Sequence, residues 1–131
     1  MAKEPRWVPR VVLDAAHLDQ IREHGGLGGI RDENALEAAL ARARQKWHHD
    51  PKTTFPVLVA AYGFGIATVH PYRDGSKRAG FLAMAIFAGL NGHDLEATDA
   101  EVVTVMVGLA AGHVGEAQLA EWLGPRLVRS R

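Results

Sequence analysis

The sequence predicts an all-α fold, a compact bundle of about six helices around a buried central helix. Three observations lead there. Apolar residues recur at helical spacing in several long segments. Those segments are separated by Gly, Pro and capping residues at intervals that suit helices. No stretch alternates apolar and polar residues as a half-buried strand does. At 131 residues the chain can bury a core without staples. We read residues 1–131 as a single domain, with 1–12 a polar N-terminal extension.

Within that extension Trp7 is an anchor onto the core, and Arg10-Val11-Val12 is a short extended piece. A first helix starts from a cap at Asp14 and ends at Gly25-Gly26, with Ala15, Leu18 and Ile21 on its inner face. Gly25 to Gly29 makes a helix–helix turn. It follows a helix and lacks the Gly-Lys-Ser/Thr ending of a phosphate loop. Asp32 caps a second helix, placing Glu33 in its first turn and Leu36, Ala39, Leu40 and Ala43 inward. Gln45 to Lys52 is polar, carries His48 and His49, and reads as a loop. Adjacent histidines point apart, so that pair is solvated rather than metal-binding. Thr54 caps a third helix, with Pro56 tolerated in its first turn, and this helix ends near Val69. Ala38, Ala39, Ala60 and Ala61 signal close helix packing. The apolar run Ala79 to Leu90 forms a fourth helix, buried on nearly all sides and stopped by Asn91-Gly92. Thr98 and Glu101 have capping-box spacing for a fifth, about Asp99 to Gly112. A sixth, Glu116 to Leu123, ends at Gly124-Pro125.

Composition removes several classes of function. The chain has no cysteine, so neither disulfides nor thiolate metal sites are available. Lys and Arg balance Asp and Glu at 15 each, which gives no global field for nucleic acid or a membrane surface. The first residues lack the apolar stretch of a signal peptide. The longest apolar run falls short of the ~18 residues that a membrane span needs. A cytoplasmic domain that binds neither nucleic acid nor membrane is the expectation.

The chemistry gathers in His70-Pro71-Tyr72-Arg73-Asp74-Gly75-Ser76-Lys77-Arg78. Pro71 biases His70 out of the helical region, so a helix ends before it. Gly75-Ser76 offers a tight turn, with Ser76 as the N-cap of the next helix. Unpaired N–H groups at such a helix start seat a phosphate. Lys77 and Arg78 oppose the helix dipole there, a local cost that suits a bound anion. Asp74 could hold a magnesium ion, and His70 could act as a general base. The bland alternatives are a histidine capping a carbonyl and an ion-paired face of one continuous helix. Pro71 and Gly75 count against the second. His17, His24, His93 and His113 are scattered at helix ends or turns and receive no role.

This stretch resembles the signature of the Fic/Doc family, His-x-Phe-x-Asp/Glu-Gly/Ala-Asn-Gly/Lys-Arg. The likeness continues through the apolar helix to Asn91-Gly92. Upstream, Gly25-Gly26-Leu27-Gly28-Gly29-Ile30-Arg31-Asp32 followed by Leu36-Glu37-Ala38-Ala39-Leu40 is similar to the glycine-rich turn of the death-on-curing (Doc) branch. The resemblance implies a Fic/Doc-type bundle with His70 taking a proton from a target hydroxyl. It implies Asp74 holding Mg2+ on the phosphates of ATP, the backbone of Gly75, Ser76 and Lys77 forming an anion hole, and Arg78 clamping phosphate oxygens. AMP-transferring members have glycine at position 77 and a second arginine where this chain has Phe81. Lys77 is the Doc pattern, which implies transfer of the γ-phosphate to a Ser/Thr hydroxyl. By the same resemblance the target is an elongation factor Tu-like translation factor, and phosphorylation arrests translation. Control would come from a cognate antitoxin of a type II toxin–antitoxin system, bound by a C-terminal helix in a groove. Two positions depart from the signature: Tyr72 stands for phenylalanine and Ser76 for asparagine. Nucleotidyl transfer, and a catalytically weakened binding scaffold, therefore stay open as alternatives.

Overall fold

The computed structural model of the chain describes residues 3–131. Among the described residues there are six α-helices: α1 (Arg10–His24), α2 (Glu33–His49), α3 (Phe55–Val69), α4 (Ser76–Leu90), α5 (Asp99–Ala110) and α6 (Glu116–Leu123). The expected all-α bundle is therefore observed. The helix enclosed by the others is α3, which packs on α2, α4, α5 and α6. Its sequence is apolar all round, and Leu58 through Gly63 and Gly65 through Ala67 are buried. The helix that the sequence marks as buried, α4, instead has one closed face of Ser76, Ala79, Gly80, Ala83, Met84, Phe87 and Ala88. Its other flank stays half-open.

Glycine sets how closely α3 and α4 approach. A Cβ on Gly80 would lie 3.1 Å from the Gly63 carbonyl oxygen and 2.9 Å from Met106 Cε. A Cβ on Gly63 would fall 2.4 Å from Met84 Sδ. The Trp7 indole stacks on Phe87, with ring centroids 5.7 Å apart, and meets Trp47 edge-on. The anchoring role expected of Trp7 thus holds.

Five local expectations are corrected. Arg10 to Val12 are helical, because α1 starts after Pro9 and Arg10 Nε pairs with Asp14 Oδ2 at 3.0 Å, one turn on. Asp14 is consequently inside α1 and does not cap it. The buried face of α1 is Leu13, His17 and Ile21, while Leu18 is exposed. Gln45 to His49 extend α2 instead of forming a loop. Lys46, His48 and His49 suit the negative end of that helix, and Trp47 is held against Trp7. Ala38 lies exposed on the outer side of α2, so the close packing comes from Ala39, Ala60 and Ala61.

One two-stranded antiparallel sheet was not anticipated. β1 (His93–Leu95) pairs with β2 (Leu127–Arg129), with Asp94 opposite Val128. Three-residue strands are too short to display a period of two. At the start of α5, Thr98 and Glu101 form the expected capping box. Glu101 also pairs with Arg126, in the single 3-10 turn Gly124–Arg126 that precedes β2.

Two outcomes follow from this packing. Gly63→Ala gains at most ~1 kcal/mol of helix propensity but overpacks Met84, so a net loss of about 1–3 kcal/mol is expected in a urea titration. Unchanged stability would mean that the α3–α4 crossing has slack. Arg126, followed by the Thr98 N–H, holds the Glu101 carboxyl low, at about 2. A depressed carboxylate contributes stability above its unfolded value near ~4.3 and loses it as pH falls through the folded one. The stability gap between wild type and Glu101→Gln should therefore be full at pH 6 and closed near pH 2, read from urea midpoints.

Candidate active site

The chain leaves α3 at Val69 and enters α4 at Ser76, so the helix is broken where Pro71 and Gly75 predicted. Two left-handed residues make the reversal: His70 (φ 48°) and Gly75 (φ 78°). His70 is the single non-glycine residue at positive φ among those described. Any residue with a Cβ pays a steric cost in this region, histidine less than most, and a neighbouring contact can hold it there. Arg31 does, donating from Nε to the His70 carbonyl oxygen and from Nη2 to that of Val69, each at 2.7 Å. Those are last-turn carbonyls with no intrahelical donor, and a guanidinium also suits the helix's negative end.

The glycine turn between α1 and α2 is stitched to the same loop. The N–H groups of Arg31 and Asp32 donate to the Pro71 carbonyl at 2.7 and 3.0 Å, and Arg73 N–H donates to Gly29 at 3.1 Å. Ile30 and Tyr72 form an isolated antiparallel bridge. The Leu27 N–H donates to Asp74 Oδ2 at 2.7 Å. Gly26 (φ 113°) lies so near that a Cβ there would meet Asp74 Cβ at 3.2 Å. Asp74 Oδ1 has no hydrogen-bond partner among the described residues.

Gly75, not Ser76, is the N-cap of α4. Ser76 is the first helical residue and is buried. Its Oγ accepts from the Tyr72 N–H at 3.2 Å and lies 3.4 Å from the Tyr72 carbonyl oxygen. That hydroxyl ties the loop to itself and does not face outward. The N–H groups of Ser76, Lys77 and Arg78 open α4 and have no intrahelical acceptor. Lys77 and Arg78 are exposed and make no ion pair among the described residues.

All six predicted site residues, His70, Asp74, Gly75, Ser76, Lys77 and Arg78, line one open groove of about 1220 Å³. Arg31 and Arg73 join them at that end. The opposite wall is apolar, built by Phe81 and Leu82 of α4 with Val102, Val103, Met106 and Val107 of α5. No cluster of three His, Cys, Asp or Glu side chains capable of enclosing a metal exists among the described residues. A cation here would thus depend on Asp74 together with ligands from a substrate.

The Fic/DOC family model matches residues 7–88, from Trp7 to the last turns of α4. The chain belongs to the Fic/DOC family. It is also 28% identical over 112 residues to the "Protein kinase doc" of Escherichia phage P1, covering 85% of this chain and 87% of that protein.

Sequence reasoning missed three residues that shape the site. Arg31 was seen as part of the glycine-turn pattern, without a task. Asp14 accepts from the Tyr72 hydroxyl at 2.8 Å. His17 donates from Nε2 to the Asp74 carbonyl oxygen at 2.7 Å and stacks on Tyr72 with centroids 3.8 Å apart. The signal available was the spacing Leu13, His17, Ile21, which places His17 on the buried stripe. His24 also lines the groove, at the end of α1.

The strained backbone gives a direct test. A glycine at position 70 removes a cost of ~1–2 kcal/mol and adds ~0.5–1 kcal/mol of chain entropy. His70→Gly should therefore unfold at the same or a higher urea concentration than wild type, by up to ~1 kcal/mol. A clearly less stable variant would show that the imidazole itself supports the fold.

Proposed function

We propose that this protein is a Doc-like toxin of a type II toxin–antitoxin system, a kinase of the Fic fold that transfers the γ-phosphate of ATP to a Ser or Thr hydroxyl. The observation that carries the reading is the mouth of the groove. An exposed histidine, a carboxylate with one free oxygen, and a helix start bearing Lys77 and Arg78 face one cavity. The likeness to the phage P1 kinase supports the same choice. So does Phe81, which leaves no second arginine for a nucleotidyl-transferring arrangement.

His70 takes the proton of the acceptor hydroxyl as its oxygen bonds to the terminal phosphorus. The bond from that phosphorus to the bridging oxygen breaks, and ADP departs with the negative charge. Charge on the transferring group is met by the N–H groups of Ser76, Lys77 and Arg78 and by the two cationic side chains. Lys77 adds bulk and charge where a diphosphate would need room, which favours a terminal phosphate. Magnesium fits a site of this kind, because it is ordinarily held by one or two carboxylates and completed by phosphates and water. Asp74 Oδ1 is the oxygen that would hold it, with Oδ2 fixed by Leu27. When bound with ATP, the ion neutralises charge on the phosphate oxygens.

The acceptor we assign to a translation factor of the elongation factor Tu kind, and control to a cognate antitoxin. The apolar wall from Phe81 to Val107 fits the face of a C-terminal antitoxin helix. No helix among the described residues is long and apolar enough to cross a membrane.

One observation favours a second reading. Ser76 spends its hydroxyl on Tyr72, so the side chain that the family signature places as asparagine gives nothing to a phosphate here. A scaffold that binds nucleotide without turning it over is the alternative. Purified protein incubated with a translation-competent lysate and either α- or γ-labelled ATP separates the readings. The expected result is label from the γ position alone, reduced by ~10²–10⁴ in His70→Ala. Label from the α position would instead establish nucleotidyl transfer, and no label from either would establish the scaffold.

A further inference from the structure

α1 supplies a support for Asp74 that the motif does not contain. His17 is 3% exposed, buried beneath the loop. Its Nε2 stands 2.7 Å from the Asp74 carbonyl oxygen. A carbonyl only accepts, so the proton sits on Nε2. The ring stacks on Tyr72 at 3.8 Å with the planes 15° apart. A Cβ on Gly75 would come within 3.3 Å of His17 Nε2 and within 3.3 Å of Ile21 Cδ1. The imidazole is thus packed closely against both the Tyr72 ring and the Gly75 backbone.

Tyr72 is fixed in turn. Its hydroxyl donates to Asp14 Oδ1 at 2.8 Å, and Asp14 Oδ2 accepts from Arg10 Nε at 3.0 Å. Arg10 continues to Glu33 and Glu37 of α2. Burial first, and then the Asp14 carboxylate, push the Tyr72 phenol well above its ordinary range, so it remains a donor. Asp74 is therefore held at two points, by its main chain through His17 and by its side chain through Leu27 N–H. Both holds come from α1 and the turn that follows it.

We propose that His17 is a positioning residue for Asp74, setting the direction of the free Oδ1 and with it the affinity of the site for a divalent ion bound to nucleotide. The inference rests on the phosphotransfer reading of the groove but is not part of it. Groups that orient a metal ligand typically govern ~10–100-fold in metal affinity or activity. His17→Phe keeps the stacked ring and removes the donor. His17→Gln keeps an N–H near Nε2 and removes the stacking.

The test is titration of Mn2+–ATP into labelled protein, following paramagnetic broadening of the Asp74 and Gly75 amide signals beside thermal unfolding. It is run together with the Mg2+ dependence of label transfer. The expected result is half-saturation at ~10–100-fold higher metal in His17→Phe, largely restored in His17→Gln, even if both melt at a lower temperature. A His17→Phe curve that overlays the wild-type curve overturns the proposal. So does equal weakening in both variants, which would mark His17 as packing alone. If His17→Phe does not fold, His17→Gln decides: near wild-type metal affinity supports the donor role, and weak affinity overturns it. Failure of the phosphotransfer reading is separable, because it shows as wild-type protein without γ-label or as undiminished transfer by His70→Ala, while the broadening still reports on Asp74.

Discussion

The site depends on one reversal of the chain. Between Val69 and Ser76 the backbone must leave the end of one buried helix and enter the start of another, with both ends opening on the same groove. Two left-handed residues achieve this, and only one of them is glycine. The cost of placing His70 at positive φ is met by Arg31, whose guanidinium holds the last two carbonyls of α3. The close approach of α3 and α4 at Gly63 and Gly80 then fixes how far apart those ends sit. His70 at the C-terminus of α3 and the open N–H groups at the start of α4 thereby border the same groove.

The start of α4 shows a local preference being overruled. Two cations in a first helical turn oppose the dipole and gain nothing from it. Neither Lys77 nor Arg78 recovers that cost through an ion pair among the described residues. Two other helices follow the favourable rule, with Asp32 capping α2 and Glu101 closing the box at α5. The unfavourable placement lies beside the exposed side chains of His70 and Asp74, and it is on this placement that the proposed anion seat rests.

Much of the helical frame was legible because caps and breakers are local signals. Asp32, Thr54, Thr98, Asn91-Gly92 and Gly124-Pro125 all fall at helix boundaries in the structure. The failures arose where a distant partner decides. Arg10 to Val12 are helical through pairing with Asp14 and with α2, and α2 runs on to His49 with Trp47 held against Trp7. The β1–β2 pairing joins segments far apart in sequence, so neither strand announces itself. The groove residues His70, Asp74, Lys77 and Arg78 could be read from the sequence because their types and spacing carry chemistry. The supporting roles of His17 and Asp14 could not, even though spacing puts His17 on the buried stripe, because both become supports only when Tyr72 and Asp74 are folded over them.

The two departures from the family signature are best weighed by where they lie. Tyr72 and Ser76 are 2% and 6% exposed, whereas His70, Asp74, Lys77 and Arg78 are exposed to the groove. The two departures are therefore buried while the matching side chains are exposed, although Tyr72 and Ser76 also border the groove. Both replacements are also satisfied where they sit. The added Tyr72 hydroxyl finds Asp14, and the shorter Ser76 side chain finds the Tyr72 backbone. A buried polar atom left without a partner would cost ~1–3 kcal/mol and would point to a decaying site. In this loop each of the two altered side chains has a partner, so neither carries that cost.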